Sequence, residues 1–346
     1  MKISQKLTRK LITLGLIVAL SAIFALSAPT FLKLRNIQEI LRVAAYTGII
    51  CVGVSFVLIG GGIDLSSGGI ICFTGIVCCR LAVLGLPWPV ILLVAIVIGA
   101  ACGFFNGWVI TRFYLNDFIT TLATGFVFTG LGLLVSAKDS GGNLLSQEIK
   151  NKGFLLLGKH VSGFYYIVFA WLILTVVSYF VLSRTRYGLH TYAMGSNAKS
   201  SEMSGVNVRR MKVSTFTICG ACCAIAAVFT VAYQTTAYLS LGSGMGFNAV
   251  AACVVGGVML GGGKGDPIGA FLGAIFMTLV NNGMYKYGMD TSWQYVFQGA
   301  VILIAIMSDA GFAAITANRL KALAEKNNAE EALLEAQAKA AKGGET

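Results

Sequence analysis

The chain has 346 residues, 56% hydrophobic and 12% charged, with a mean hydropathy of +0.79. Soluble domains carry about 25% charged residues, so this chain lacks the polar side chains to cover a soluble core, and lipid is the cover its composition fits. The net charge of +12 does not mark a nucleic-acid binder, because the basic residues flank apolar runs instead of gathering on one face of a soluble module.

Apolar runs of about 20 residues, the length that crosses a bilayer, recur along the chain. They predict an all-α polytopic membrane protein of about ten transmembrane helices, over 11–28, 43–60, 67–86, 88–109, 117–137, 163–183, 213–235, 247–261, 266–287 and 293–311. One membrane domain, 1–316, is expected, followed by a charged cytoplasmic tail, 317–346, rich in Ala, Lys and Glu and partly disordered.

The first run follows Lys2, Lys6, Arg9 and Lys10 and has the look of a secretory signal peptide. Cutting after Ala28 would leave Leu26 at −3 and Pro29 just after the cut, a poor site, so a retained span is expected. Between the second and third runs stands GGGIDLSSGG, residues 60–69, with the only acid between Glu39 and Asp117. Non-helical backbone at membrane depth is tolerated only where protein buries it or a water-filled cavity faces it. Two readings follow. Asp64, Ser66 and Ser67 cap the third span, or they form a polar element bordering a permeation path. Arg80, near the end of the third run, can snorkel to the interface.

All nine cysteines fall inside predicted spans. Cys219, Cys222 and Cys223 have CxxC spacing, but neither His160 nor His190 lies near them, and small packing residues on a helix are the expectation. The loop 184–212 is longer than a plain connector needs. Asn197 can cap a short helix there, since Lys199 to Met203 contain no helix breaker. That helix is either a docking element for a cytoplasmic partner or part of a basic loop that only fixes topology.

A second glycine-rich break, GGVMLGGGKGDPIGAFLGA at 256–274, resembles the first, and each is followed by an Asn-Gly pair, Asn106-Gly107 and Asn282-Gly283. Paired breaks suggest an inverted internal repeat of five spans each, although the second interval is much shorter. GGGKGD at 261–266 is not a phosphate-binding loop: Gly265 stands where Ser or Thr is required, and Val258 where the first glycine should be. No paired carboxylates and no Ser–His–Asp set appear, so a transporter is favoured over a membrane enzyme. An even number of spans puts Arg184, Arg209, Arg210 and Lys212 on the same side as both basic termini, the cytoplasm under the positive-inside rule.

These residues resemble a known family. GGGIDLSSGG is similar to the GGIDLSxG signature of the sugar-type ABC transporter permeases, the ribose, galactose and xylose group. The resemblance continues through FITTLAT (118–124), TRYGLHTYAMGSNAKSSEMSGVNV (185–208), AACVVGGVMLGGGKGDPIGAFLGA (251–274) and WQYVFQGAVILIAIMSD (293–309), nearly the whole chain in order. It implies a permease subunit without its own ATPase site, importing a monosaccharide or similar polar solute across the bacterial inner membrane. It would pair with a second permease copy or paralogue, a cytoplasmic ATPase that binds the ATP, and a periplasmic or lipid-anchored binding protein; no cofactor is implied.

The stretch from Ala193 to Val206 matches the family's coupling segment, which assigns Gly195, Ser196, Asn197, Ala198, Ser200, Ser201, Gly205 and Val206 to the ATPase contact. Gly195 and Gly205 are expected to make turns on either side of the short helix. Ser196, Ser200 and Ser201 replace a glycine and two alanines of the usual pattern, and Asp266-Pro267 replaces Ser-Val or Thr-Val. Asp64, Asn106, Asn248, Asn282 and Gln298 are expected along the translocation path, where amides can bond a passing hydroxyl without holding it. The alternatives are a secondary transporter or channel that works without an ATPase, and the same ABC scaffold carrying a nucleoside or a quorum-signalling sugar.

Overall fold

The computed structural model describes residues 5–28, 30–137, 147–161, 163–290, 292–304 and 307. The end of the last expected span and the tail over 317–346 lie outside these. The chain divides into two compact units, Met1–Ile302 and Leu303–Thr346. Of the second, residues 303, 304 and 307 are helical.

The helices run in the order α1 Gln5–Ser27, α2 Leu34–Ile59, α3 Ser67–Val83, α4 Trp88–Phe113, α5 Asp117–Val135, α6 Lys152–Leu155, α7 Tyr166–Arg184, α8 Arg186–Ser196, α9 Ala198–Met203, α10 Val208–Gln234, α11 Met245–Val255 and α12 Pro267–Lys286. A further helical stretch covers 292–304. A two-residue hairpin, β1 His160–Val161 with β2 Phe164–Tyr165, precedes α7. Among the described residues seven helices are long and apolar enough to cross a membrane: α1, α2, α4, α5, α7, α10 and α12. The chain is an all-α, multi-pass membrane protein. The shorter apolar helices α3 and α11 each follow an irregular segment.

Local chemistry sets the helix starts. Asn116 caps α5 through Ile119 N, and Asn207 caps α10 through Arg210 N. Proline occupies the first turn of α4 and of α12, where its missing N–H costs nothing. The helices then pack through small residues, as helices in lipid must when no hydrophobic force drives them together. A Cβ on Gly99 would collide with Gly220 O, one on Gly103 with Phe216 O, and one on Gly107 would come within 2.6 Å of Val213 Cα. Those three glycines seat α4 on α10. Gly256, Gly269 and Gly273 do the same for α11 and α12. All nine cysteines are buried and none is in a disulfide.

One end of the bundle is basic. Arg184 ends α7, Arg209, Arg210 and Lys212 open α10, and Arg112 lies in the last turn of α4. Lys212 Nζ meets Asp117 Oδ1 at 2.7 Å, tying α10 to the start of α5. At the other end Arg80 Nη1 donates to Val135 O at 2.7 Å, so this arginine does reach the end of its helix.

The first helix belongs to this packing. Phe24 fills the notch left by Gly283, Thr13 Oγ1 donates to Val255 O at 3.2 Å, and Lys10 Nζ pairs with Asp266 Oδ2 at 2.8 Å. A chain cut after Ala28 would lose all three contacts. Asp266 thereby gains a role that the sequence left open: its other oxygen accepts from Gly269 N at 2.9 Å and caps α12. Asp266→Ala is expected to cost about 1 kcal/mol through the cap alone. The ion pair, partly exposed at 25% and 15%, adds less. Thermal unfolding in one detergent should therefore show a larger shift for Asp266→Ala than for Lys10→Ala; equal shifts would place the effect in the ion pair.

Candidate functional site

The chain leaves α2 at Ile59 and does not become helical again until Ser67. Gly61 turns it at φ +78°, a left-handed conformation that glycine adopts without strain. Asp64 is completely buried. Its Oδ1 accepts from Ser66 N at 2.8 Å and from Ser66 Oγ at 2.6 Å. The carboxylate therefore closes its own turn, and Ser66, the residue before α3, makes no side-chain cap. Asn106 Nδ2, from α4, donates to Ser66 Oγ at 2.7 Å, and Thr121 Oγ1, from α5, accepts from Leu65 N at 3.1 Å. Two helices, α4 and α5, thus grip one irregular segment. By distance, Asp64 Oδ2 and Asn106 Oδ1 are buried acceptors with no hydrogen-bond partner.

The five residues expected on a path do not form one cluster. Asp64 and Asn106 meet through Ser66. Asn248, early in α11, has its Oδ1 buried without a partner, while its N donates to Gly244 O at 3.0 Å; Gln298 Nε2 reaches the same carbonyl at 3.5 Å. Asn282 lies apart, on the seam of α12 with α2. It exchanges two 3.2 Å bonds with Asn36, which also donates to Phe31 O at 2.9 Å.

The long basic loop is folded. Helix α8 continues from α7, and α9 follows with Asn197 between them; Asn197 Oδ1 accepts from Ser200 N at 3.0 Å, the cap its position suggests. Gly205, at φ +85°, makes the expected turn after α9. Gly195 does not make the turn before it. It lies inside α8, where the lack of a side chain serves close packing: a Cβ there would overlap Ile59 O and stand 2.6 Å from Gly263 N.

The same spot draws in both glycine-rich breaks. A Cβ on Gly61 would lie 3.3 Å from Gly195 Cα, and one on Gly262 would lie 2.7 Å from Gly195 O and from Gly61 Cα. Gly263 N donates to Ile59 O at 2.8 Å, and Tyr192 Oη donates to Gly265 O at 2.7 Å. Burial, with the Asp266 carboxylate nearby, pushes the Tyr192 phenol up to about 12, so it keeps that donor proton at any physiological pH. Three glycine segments form a clasp, with α9 on its outer side. Lys199, Ser200 and Glu202 are exposed there, and Met203 is 83% exposed, while Ser201 is turned inward.

Sequence reasoning singled out Ser66 but not its pairing with Asn106, and it missed Thr121, Tyr192 and Met203. Thr121 lay in FITTLAT, quoted as a motif without a partner being visible. A tyrosine and a methionine in a basic loop carry no such signal.

Irregular polar segments buried among helices, joined to a short exposed helix at the basic end, fit a membrane transport subunit. Comparison with known proteins narrows the class. The family described as branched-chain amino acid transport system / permease component matches residues 36–306. The ribose import permease protein RbsC of Bacillus subtilis (strain 168) is 34% identical over 297 residues, 86% of this chain and 91% of that protein. The galactose/methyl galactoside import permease protein MglC of Escherichia coli (strain K12) is 31% identical over 314 residues, 85% and 91%. The xylose transport system permease protein XylH of the same strain is 30% identical, covering 81% and 86%. The chain belongs to this family, as a sugar-type ABC transporter permease. No solved structure matches it.

Proposed function

We propose that this permease imports a monosaccharide or a closely similar polyol, driven by a separate cytoplasmic ATPase and fed by a periplasmic or lipid-anchored binding protein. Relatives named for ribose, galactose and xylose support the substrate class. Two permeases, identical or paralogous, would enclose the path. The chain crosses the inner membrane ten times, through α1 to α5, α7, α10 to α12 and the helix that begins at 292. The basic end faces the cytoplasm, with both termini and the tail over 317–346 on that side.

The ten spans form an inverted repeat of five and five. Packing supports it: α10 lies on α4 as α2 lies on α12, and α3 lies against α10 as α11 lies against α2. The partner of the break before α3 is then the irregular segment 235–244 before α11, not the glycine run at 256–266. The uneven interval disappears with this pairing, because Asp64 and Asn106 are separated by nearly the same length of chain as Gly242 and Asn282.

In this reading Asp64, Asn106, Asn248, Asn282 and Gln298 border the path, the first two by holding the backbone that lines it. The segment Gly195, Ser196, Asn197, Ala198, Ser200, Ser201, Gly205 and Val206 couples it to the ATPase, with Met203 as an apolar anchor. The observation that carries the proposal is the clasp, because it joins an exposed helix directly to the buried polar break. Ser200→Cys is expected to cross-link to a co-expressed ATPase of the same importer. A cysteine at 200 that reacts only from the periplasmic side would overturn both the coupling role and the orientation.

A further inference from the structure

The segment 235–244 descends from the end of α10 into the bundle. Gly242, at φ +86°, seats against the first turn of α3, where a Cβ would lie 2.5 Å from Gly68 O. Leu241 covers Gly75, and Leu239 O accepts from Cys72 Sγ at 3.3 Å. That first turn of α3 lies well inside the spans: Ser66 takes the amide of Asn106, about two turns before the end of α4. Ser67 Oγ lies 4.0 Å from Cys219 Sγ, about three turns into α10. The irregular segment therefore lies at membrane depth, yet Ser240, Ser243 and Gly244 are exposed on the subunit. Lipid cannot satisfy such backbone and hydroxyl groups, so this face must meet water or protein.

The exposed backbone borders a cavity of about 260 Å³. Its walls hold Ser240, Ser243 and Thr129 with the carbonyls of the glycine turns, and the rings of Phe126 and Phe247. Phe126 is 74% exposed and Phe247 41%. We propose that this cavity is a resting subsite for one monosaccharide on its way through the permease. A sugar ring has an apolar C–H face, which Phe126 and Phe247 can cover, and a rim of hydroxyls, which serine hydroxyls and backbone carbonyls can bond. A few polar groups on an otherwise apolar wall fix orientation without tight capture. None of these side chains was expected on the path from sequence.

The inference rests on the transport reading above, and its test separates the two. The permease is reconstituted with its ATPase and binding protein, and uptake of radiolabelled ribose, galactose and xylose is measured. Ser240→Leu and Ser243→Leu are expected to lower uptake at least tenfold in complexes that still elute intact. Phe247→Ala is expected to shift the ribose-to-galactose uptake ratio at least threefold, which a merely structural residue would not do. Ser240→Cys and Ser243→Cys should react with a membrane-impermeant maleimide. Wild-type protein that takes up none of the three sugars would remove the substrate class, and unreactive cysteines at 240 and 243 would then also remove the cavity. Wild-type uptake with an unchanged ratio in Phe247→Ala and near-normal uptake in both leucine variants would overturn the subsite alone.

Discussion

On the coupling role proposed above, Gly195→Val is expected to uncouple the transporter. The new Cβ would be driven into Ile59 O and Gly263 N, and these are backbone atoms with no rotamer to give way. The clasp must open, which separates α8 and α9 from both breaks. Solute-stimulated ATP hydrolysis should fall to its basal level and uptake should drop at least tenfold, with the bundle still folded, because the clasp lies at the edge of the core. Ser200→Trp is the companion variant. Ser200 is exposed, so the indole blocks docking and leaves the clasp alone; co-purification with the ATPase should fail. The two variants should differ in that assay: Gly195→Val can still bind the ATPase through α9, while Ser200→Trp cannot. Full stimulation in Gly195→Val would remove the clasp from the mechanism. Ser201→Trp would be a poor substitute, since Ser201 is buried and the change would disturb the permease itself.

Asp64→Leu is expected to give a poorly folded protein and Asp64→Asn a folded one. Leucine leaves both Ser66 N and Ser66 Oγ without their acceptor in a fully buried place, at about 1–3 kcal/mol for each unpaired group. Asparagine keeps one carbonyl oxygen for both donors. Its added N–H₂ falls where Oδ2 now stands without a partner. Yield of monodisperse protein in detergent separates the pair. Equal yields for the two variants would show that the turn does not depend on this acceptor. If Asp64→Asn folds but its uptake falls tenfold, the carboxylate serves transport beyond holding the turn.

Much of the membrane architecture was legible because lipid imposes a simple rule: long apolar runs become helices. The helix starts at Asn116 and Asn197 were written in short-range capping chemistry, within reach of any reading. The polar break at 60–69 was visible for the same reason, since glycine and a carboxylate in an apolar chain have few uses. What the residues could not display was partnership across the chain. Nothing in the sequence showed that Asn282 exchanges amide bonds with Asn36, 246 positions away. Gly195 was read as a turn, because glycine permits the turns that flank a short helix; the carbonyl of Ile59, which leaves no room for a side chain there, lies in another helix. The repeat was sought between two glycine runs that look alike; the pairing proposed above instead matches the first with a segment, 235–244, that is less glycine-rich.

The clasp also bears on heredity. Every amino-acid change reachable by one base from a glycine codon adds a side chain, and Gly61, Gly195, Gly262 and Gly263 have no room for one without a shift of backbone or of Ser196. No gentle first step exists at these positions. The outer surface of α9 is free of that restriction, because Lys199, Glu202 and Met203 face outward. On the coupling role proposed above, a lineage can exchange one motor for another by rewriting the outside of this short helix, while the inside stays as it is.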